Sequence, residues 1–121
     1  NVRRSKDMAL ALGCPVVLGV QAGRQIDGRQ WKLPEAGDGQ ESSNIEQTAD
    51  KMISVWMPKT SEPIGQPCPM PGQGMPEVMV TENLLVLGLK KQRLGPANRV
   101  MFCYVNPARN EIAPMQIGGE R

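Results

Sequence analysis

Two runs in the chain, Val16-Val17-Leu18-Gly19-Val20 and Leu84-Leu85-Val86-Leu87-Gly88-Leu89, show no alternation between apolar and polar positions. A run that is apolar on both faces predicts a strand buried between two layers, the pattern of parallel strands in α/β sheets. A helical period precedes the first run. Ser5, Met8, Ala9 and Leu12 make an i, i+3, i+4, i+7 stripe, with Arg3, Arg4, Lys6 and Asp7 off that face and Gly13 where a left-handed C-cap belongs. This helix is expected to be under way close to Asn1, an abrupt start that suggests more protein upstream. A helix leading into a doubly apolar strand predicts an α/β fold. Gln21 then stands at the carboxyl end of a buried parallel strand, where such sheets bind ligands; it serves equally well as a polar residue ending a strand.

The stretch Glu41 to Asp50 carries the strongest local signals. Ser43 and Glu46 have the Ser-x-x-Glu spacing of a capping box, which predicts a helix starting near Asn44. Ile45, Ala49 and Ile53 fall four apart and would give it a short apolar face, and Met52 to Met57 reads as a strand running into the core. A helix N-terminus between polar loops can hold an anion, although the same residues fit an ordinary capped surface helix. Further on, Val100 to Val105 forms another strand after the turn residues Leu94-Gly95-Pro96-Ala97-Asn98, so it should pair with 84–89 as a hairpin. Lys90, Lys91 and Arg93 sit on its first strand and tip. They either protect a strand edge from pairing or hold a guanidinium at a fixed place, the requirement of an arginine finger in phosphoryl transfer.

Two stretches lack any period. Ala22 to Gln40 reads as a long loop in which Arg24, Arg29 and Lys32 are balanced by Asp27, Glu35 and Asp38, so that a phosphate here would lean on backbone N–H groups with Arg24 and Lys32 assisting. Residues 58–76 hold prolines at 58, 63, 67, 69, 71 and 76 with glycines between them, which predicts a surface insertion of polyproline character, free of helix and of strand pairing.

Composition narrows the function classes. The 121 residues suit one small domain, 1–121, and the net charge of +2 is no polybasic signature. Aromatic residues make up 3%, too few for base-stacking platforms. Cys14, Cys68 and Cys103 are odd in number and widely spaced, with no histidine to complete a zinc set or activate a thiol. They read as reduced thiols of a cytoplasmic protein, Cys68 as an exposed spectator. No apolar run reaches the length of a membrane span and no signal peptide is visible.

Taken in order, these motifs resemble the C-terminal part of the RecA-like ATPase domain of DnaB-type hexameric replicative helicases. Val16-Val17-Leu18-Gly19-Val20-Gln21-Ala22-Gly23-Arg24 looks like the strand and polar loop of that family's third helicase motif. Glu41-Ser42-Ser43-Asn44-Ile45-Glu46-Gln47-Thr48-Ala49-Asp50 is similar to its Glu-Ser-Gly-x-Ile-Glu-Gln-x-Ala-Asp, and Lys91-Gln92-Arg93-Leu94-Gly95-Pro96 to its Lys-Gln-Arg-Asn-Gly-Pro. The resemblance covers most of the chain and implies a partial RecA-like (P-loop NTPase) fold: parallel strands flanked by helices, then an antiparallel hairpin. It implies that Gln21 senses the γ-phosphate, and that Lys91 and Arg93 reach in trans to the nucleotide of the adjacent subunit in a homo-hexamer. It also implies that Gln40, Glu41 and Ser43, helped by Arg24, meet single-stranded DNA phosphates.

The sequence departs from that family in places. Gln40 stands where arginine is usual, Ser43 where glycine is usual, and Leu94 replaces an asparagine. No Gly-x-x-x-x-Gly-Lys-Ser/Thr loop occurs in these residues. The expectation is therefore an ATP-dependent helicase fragment with ATP and Mg²⁺ held by the parent protein rather than by this piece. The alternative is a non-catalytic RecA-like module that binds a helicase or recombinase ring.

Overall fold

A computed structural model describes residues 2–39, 47–71, 77–92, 95 and 99–115, with only the backbone of Val2. Helix α1 spans Val2–Leu12 and ends as its pattern predicts: Gly13 takes φ +66 and donates its N–H to Ala9 O at 2.9 Å. The remaining regular structure is a four-stranded sheet of β1 (Lys51–Trp56), β2 (Leu84–Gln92), β3 (Arg99–Asn106) and β4 (Glu111–Pro114). Its order is β1-β2-β3-β4 and every pairing is antiparallel.

The core lies against one face of this sheet. Trp56 pairs with Val86 and Val86 with Phe102, so three large side chains stand in one row across β1, β2 and β3. Leu84, two residues before Val86, shares the face. Leu33, Cys68, Val78 and Val80 close over these residues, and Trp31 and Met70 pack on the cluster from its rim. Trp31 meets Trp56 edge-on, with ring centroids 5.4 Å apart and planes at 81°. Leu33 is wholly buried although it comes from the long irregular segment. Gly88 makes room for it, because a Cβ there would stand 2.7 Å from Leu33 Cδ2.

Several expectations are corrected. Residues 16–20 form no strand: Val17 is 96% exposed, and Val16, Leu18 and Val20 are exposed too. A strand exists through its neighbours' hydrogen bonds, and this run joins neither edge of the sheet; the nearest pairing is an isolated bridge, Ala22↔Gly39. No parallel pair occurs among the described residues, so the observed sheet is that of a small α/β protein with an antiparallel meander. The helix expected from Asn44 falls on residues 40–46, outside those described. Gln47 and Thr48 are helical, but Ile53 belongs to β1 and is exposed, so it does not share a helix face with Ala49.

The proline-rich stretch is more than surface. Pro58 is buried and opens a 3₁₀ turn, Pro58–Thr60. Cys68 N–H donates to Val78 O at 2.7 Å and Val80 N–H to Gln66 O at 2.9 Å around the bridge Pro67↔Met79. A proline lacks only its own donor, so the flanking residues pair normally. They carry Cys68 into the core, where burial first, and then the charge of Glu62, pushes its thiol up to about 11. It is buried and not exposed as expected, and it remains a neutral thiol.

The hairpin of β2 and β3 forms in the expected register, Leu84↔Tyr104 to Leu89↔Arg99. The fourth strand follows a turn in which Asn110 adopts φ +54, a left-handed conformation that asparagine tolerates. On the opposite face the cross-strand pair Leu85 and Cys103 is buried, while Ile53, Val55, Met101 and Ile112 are exposed.

Leu33→Ala should destabilise the domain by about 2–5 kcal/mol, the usual cost of emptying a fully buried leucine site. Urea unfolding followed by tryptophan fluorescence checks this, since Trp31 and Trp56 border that cluster.

Candidate functional site

The segment from Gly23 to Gly39 is irregular in sequence but held in place at many points. Gly23 N–H donates to Asp38 O at 2.7 Å, which closes the segment into a loop whose ends lie side by side. Asp38 is buried and takes bonds from three directions. Arg29 grips it with both guanidinium nitrogens, Nη1 to Oδ2 at 2.6 Å and Nη2 to Oδ1 at 2.8 Å. Glu35 N–H donates to Oδ2 at 2.7 Å and Gln25 Nε2 to Oδ1 at 3.4 Å. The Arg29 bonds first, and the Glu35 backbone bond in support, hold this carboxyl well below its ordinary range, at about 2, although burial alone would raise it. The same partnership raises the Arg29 guanidinium above its ordinary value.

The loop is also fastened to the sheet. The Ser54 hydroxyl of β1 donates to Pro34 O. Lys90 of β2 pairs with Glu35, Nζ to Oε1 3.1 Å, and Lys32 pairs with Glu62, Nζ to Oε2 3.2 Å. Leu33 lies between these ties. Residues 31–38 are therefore a brace packed on the sheet rather than a free loop.

This brace positions several of the expected site residues. Gln21 is exposed in extended backbone and is not at the end of a buried strand. Its chain neighbour Ala22 forms an antiparallel bridge with Gly39, the residue before 40–46. Arg24 is exposed at the start of a 3₁₀ turn, Arg24–Gly28. Lys91 is half-buried on β2 opposite Met52. Gln40, Glu41, Ser43 and Arg93 lie outside the described residues. The structure thus brings Ala22 and Gly23, between Gln21 and Arg24, against Gly39 and Asp38, and puts Lys91 on the ribbon next to the Lys90–Glu35 tie.

Sequence reasoning missed Arg29, Glu35, Asp38 and Lys90 as a set, treating the first three as charges that cancel. The available signal was Glu35-x-x-Asp38, an acidic pair at capping distance with glycine on either side of the second. Trp31, Trp56 and Phe102 are taken up by the core cluster and its rim, which leaves Tyr104 alone, hydrogen-bonded to Asn83 Nδ2 at 3.0 Å. Contact with a nucleic acid at this site would rest on charge and backbone, not on stacking.

Among the described residues no group of three histidine, cysteine or acidic side chains could hold a metal ion. No phosphate-cradling Gly-x-x-x-x-Gly-Lys-Ser/Thr loop occurs in the sequence. No described helix is long and apolar enough to cross a membrane. Compared with known families, residues 2–110 match the model described as the DnaB-like helicase C terminal domain. No curated protein matches the chain.

Asp38 sets a pH dependence. Its carboxyl ordinarily titrates at 3.8 and in the fold at about 2, so its contribution is fully present above about pH 4 and is lost as pH falls towards 2. Asp38→Asn should lower the melting temperature at pH 7, and its gap from the parent chain should close between pH 4 and pH 2. Thermal melts of both proteins across that range read the difference.

Proposed function

This chain belongs to the family of DnaB-like helicase C-terminal domains, and from that membership we propose that it supplies two parts of an ATP-driven replicative helicase. The first is a trans-acting cationic ribbon for a neighbouring protomer's nucleotide, and the second is a loop facing single-stranded DNA. Such a chain forms half of a composite site. The P-loop half, with ATP and Mg²⁺, belongs to the rest of the helicase, and ATP hydrolysis between protomers of the ring moves it along DNA.

The observation that carries this reading is the attachment of both parts to one brace. Lys91 lies on β2 opposite Met52 of β1, two residues beyond Leu89, the last β2 residue paired with β3, and two before Arg93. A strand held in a ladder gives a cation the fixed position that stabilising a phosphoryl transition state requires. Arg93 is the finger, whose planar fork meets charge on the transferring group; Lys91 assists as a point charge. Gln21 is the sensor, supported by the bridge of its neighbour Ala22 to Gly39, after which Gln40, Glu41 and Ser43 follow in the chain as the DNA contacts. Arg24, two residues after Ala22, adds one exposed cation. Backbone and charge contacts of this kind follow phosphates without reading sequence.

In the complete helicase, Arg93→Ala should lower kcat for DNA-stimulated ATP hydrolysis by roughly a thousandfold or more while nucleotide binding stays near the parent value. Near-normal turnover would remove the finger assignment. Arg24→Ala should weaken oligothymidylate binding and flatten the slope of log affinity against log salt by about 0.7, one phosphate contact on a single strand. Fluorescence anisotropy over a salt series measures it, and an unchanged slope would take Arg24 off the DNA path.

A further inference from the structure

Lys90 occupies an unusual place on β2. Leu89 opposes Ile53 and Lys91 opposes Met52, so Lys90 is the extra residue of a β-bulge, with no partner position on β1. A bulge bends its strand and redirects side chains, and bulges gather beside functional sites. Here it precedes Lys91 by one residue and Arg93 by three. The Lys90 side chain turns inwards and is only 6% exposed, with its ammonium 3.1 Å from Glu35 Oε1. A lysine buried to that degree is held by its partner, since an unpaired ammonium there would be costly.

The partner is equally well placed. Glu35 reaches Lys90 with its side chain, and its backbone N–H donates to the Asp38 carboxylate at 2.7 Å. Asp38 is in turn gripped by Arg29 and directly precedes Gly39, the bridged residue before 40–46. A continuous line of charged and hydrogen-bonded groups therefore runs from the brace to the bulge: Arg29, Asp38, Glu35, Lys90. Asp38 in this line stands two residues before the segment assigned to DNA, and Lys90 directly precedes Lys91 of the ribbon assigned to the neighbour's nucleotide.

We propose that the Lys90–Glu35 ion pair is a positioning link that couples the DNA-facing segment to the trans-acting ribbon, so that DNA engagement at 40–46 sets the placement of Lys91 and Arg93. The proposal rests on the functional reading above. Neither Lys90 nor Glu35 touches nucleotide or DNA in this scheme; both act through the residues that do. Breaking the pair leaves each end able to do its own work while DNA loses its influence on hydrolysis.

The test uses the complete helicase with Lys90→Met, which keeps the alkyl stem, with Glu35→Gln, which removes the charge but leaves an amide oxygen able to accept from the buried ammonium, and with the double variant. The readout is ATP hydrolysis with saturating oligothymidylate divided by hydrolysis without it, alongside basal turnover and oligothymidylate affinity. Each single variant should lower that ratio by about fivefold or more, with basal turnover and affinity within about twofold of the parent, and the double variant should lose no more than either single. An unchanged ratio in the singles, or losses that multiply in the double, would overturn the link. Arg93→Ala in the same assay separates the levels. If it retains stimulated turnover, the ribbon reading itself fails; if it loses turnover while the Lys90 and Glu35 variants keep their ratio, only the link fails.

Discussion

A carboxylate that is nearly out of water must be surrounded by donors, and Asp38 imposes that condition on the whole region. Arg29, Glu35 N–H and Gln25 converge on it from one irregular segment, so the segment has little choice of path. With the path set, Leu33 points into the core, Pro34 O meets the Ser54 hydroxyl, and Glu35 faces Lys90. The apolar term holds the brace down and the polar term decides its shape. Neither suffices alone: burial of Leu33 without the clasp would leave residues 34–38 free to wander, and the clasp without Leu33 would close a loop detached from the sheet.

The uncovered surfaces follow from the same arrangement. The brace and the proline-rich stretch close over one face of the meander. On the other face Leu85 and Cys103 are buried but Ile53, Val55, Met101 and Ile112 stay exposed; Leu10 and Leu12 of α1 and the apolar residues of the run at 16–20 are exposed too. In the family to which the chain belongs the functional unit is a helicase domain, and the ribbon and brace are the parts that these residues already build among themselves.

How much of this was legible depended on how local each signal was. The Gly13 cap, the β1 strand and the hairpin of β2 and β3 were read from spacing, because turn chemistry and period act over a few residues. The run at 16–20 misled, since apolarity on both faces states what a strand would need and not whether neighbours are present to supply it. Cys68 misled in the opposite sense: proline content argues against pairing, yet Cys68 pairs with Val78 and Val80 with Gln66 around Pro67, which carries the thiol inwards. The Arg29–Asp38 clasp and the Lys90 bulge were invisible for a further reason. Each depends on which distant residue faces it, and a balanced charge count looks the same whether the charges are solvated or locked together.

The central claim is that the segment 33–38 and the end of β2 move as one body because Asp38 holds the brace in shape. Hydrogen–deuterium exchange of the parent chain and Asp38→Asn tests it most directly. Faster exchange in the variant at both 34–39 and 89–92, with β3 and β4 unchanged, is the predicted result. Faster exchange at 34–39 with 89–92 unaltered would contradict it.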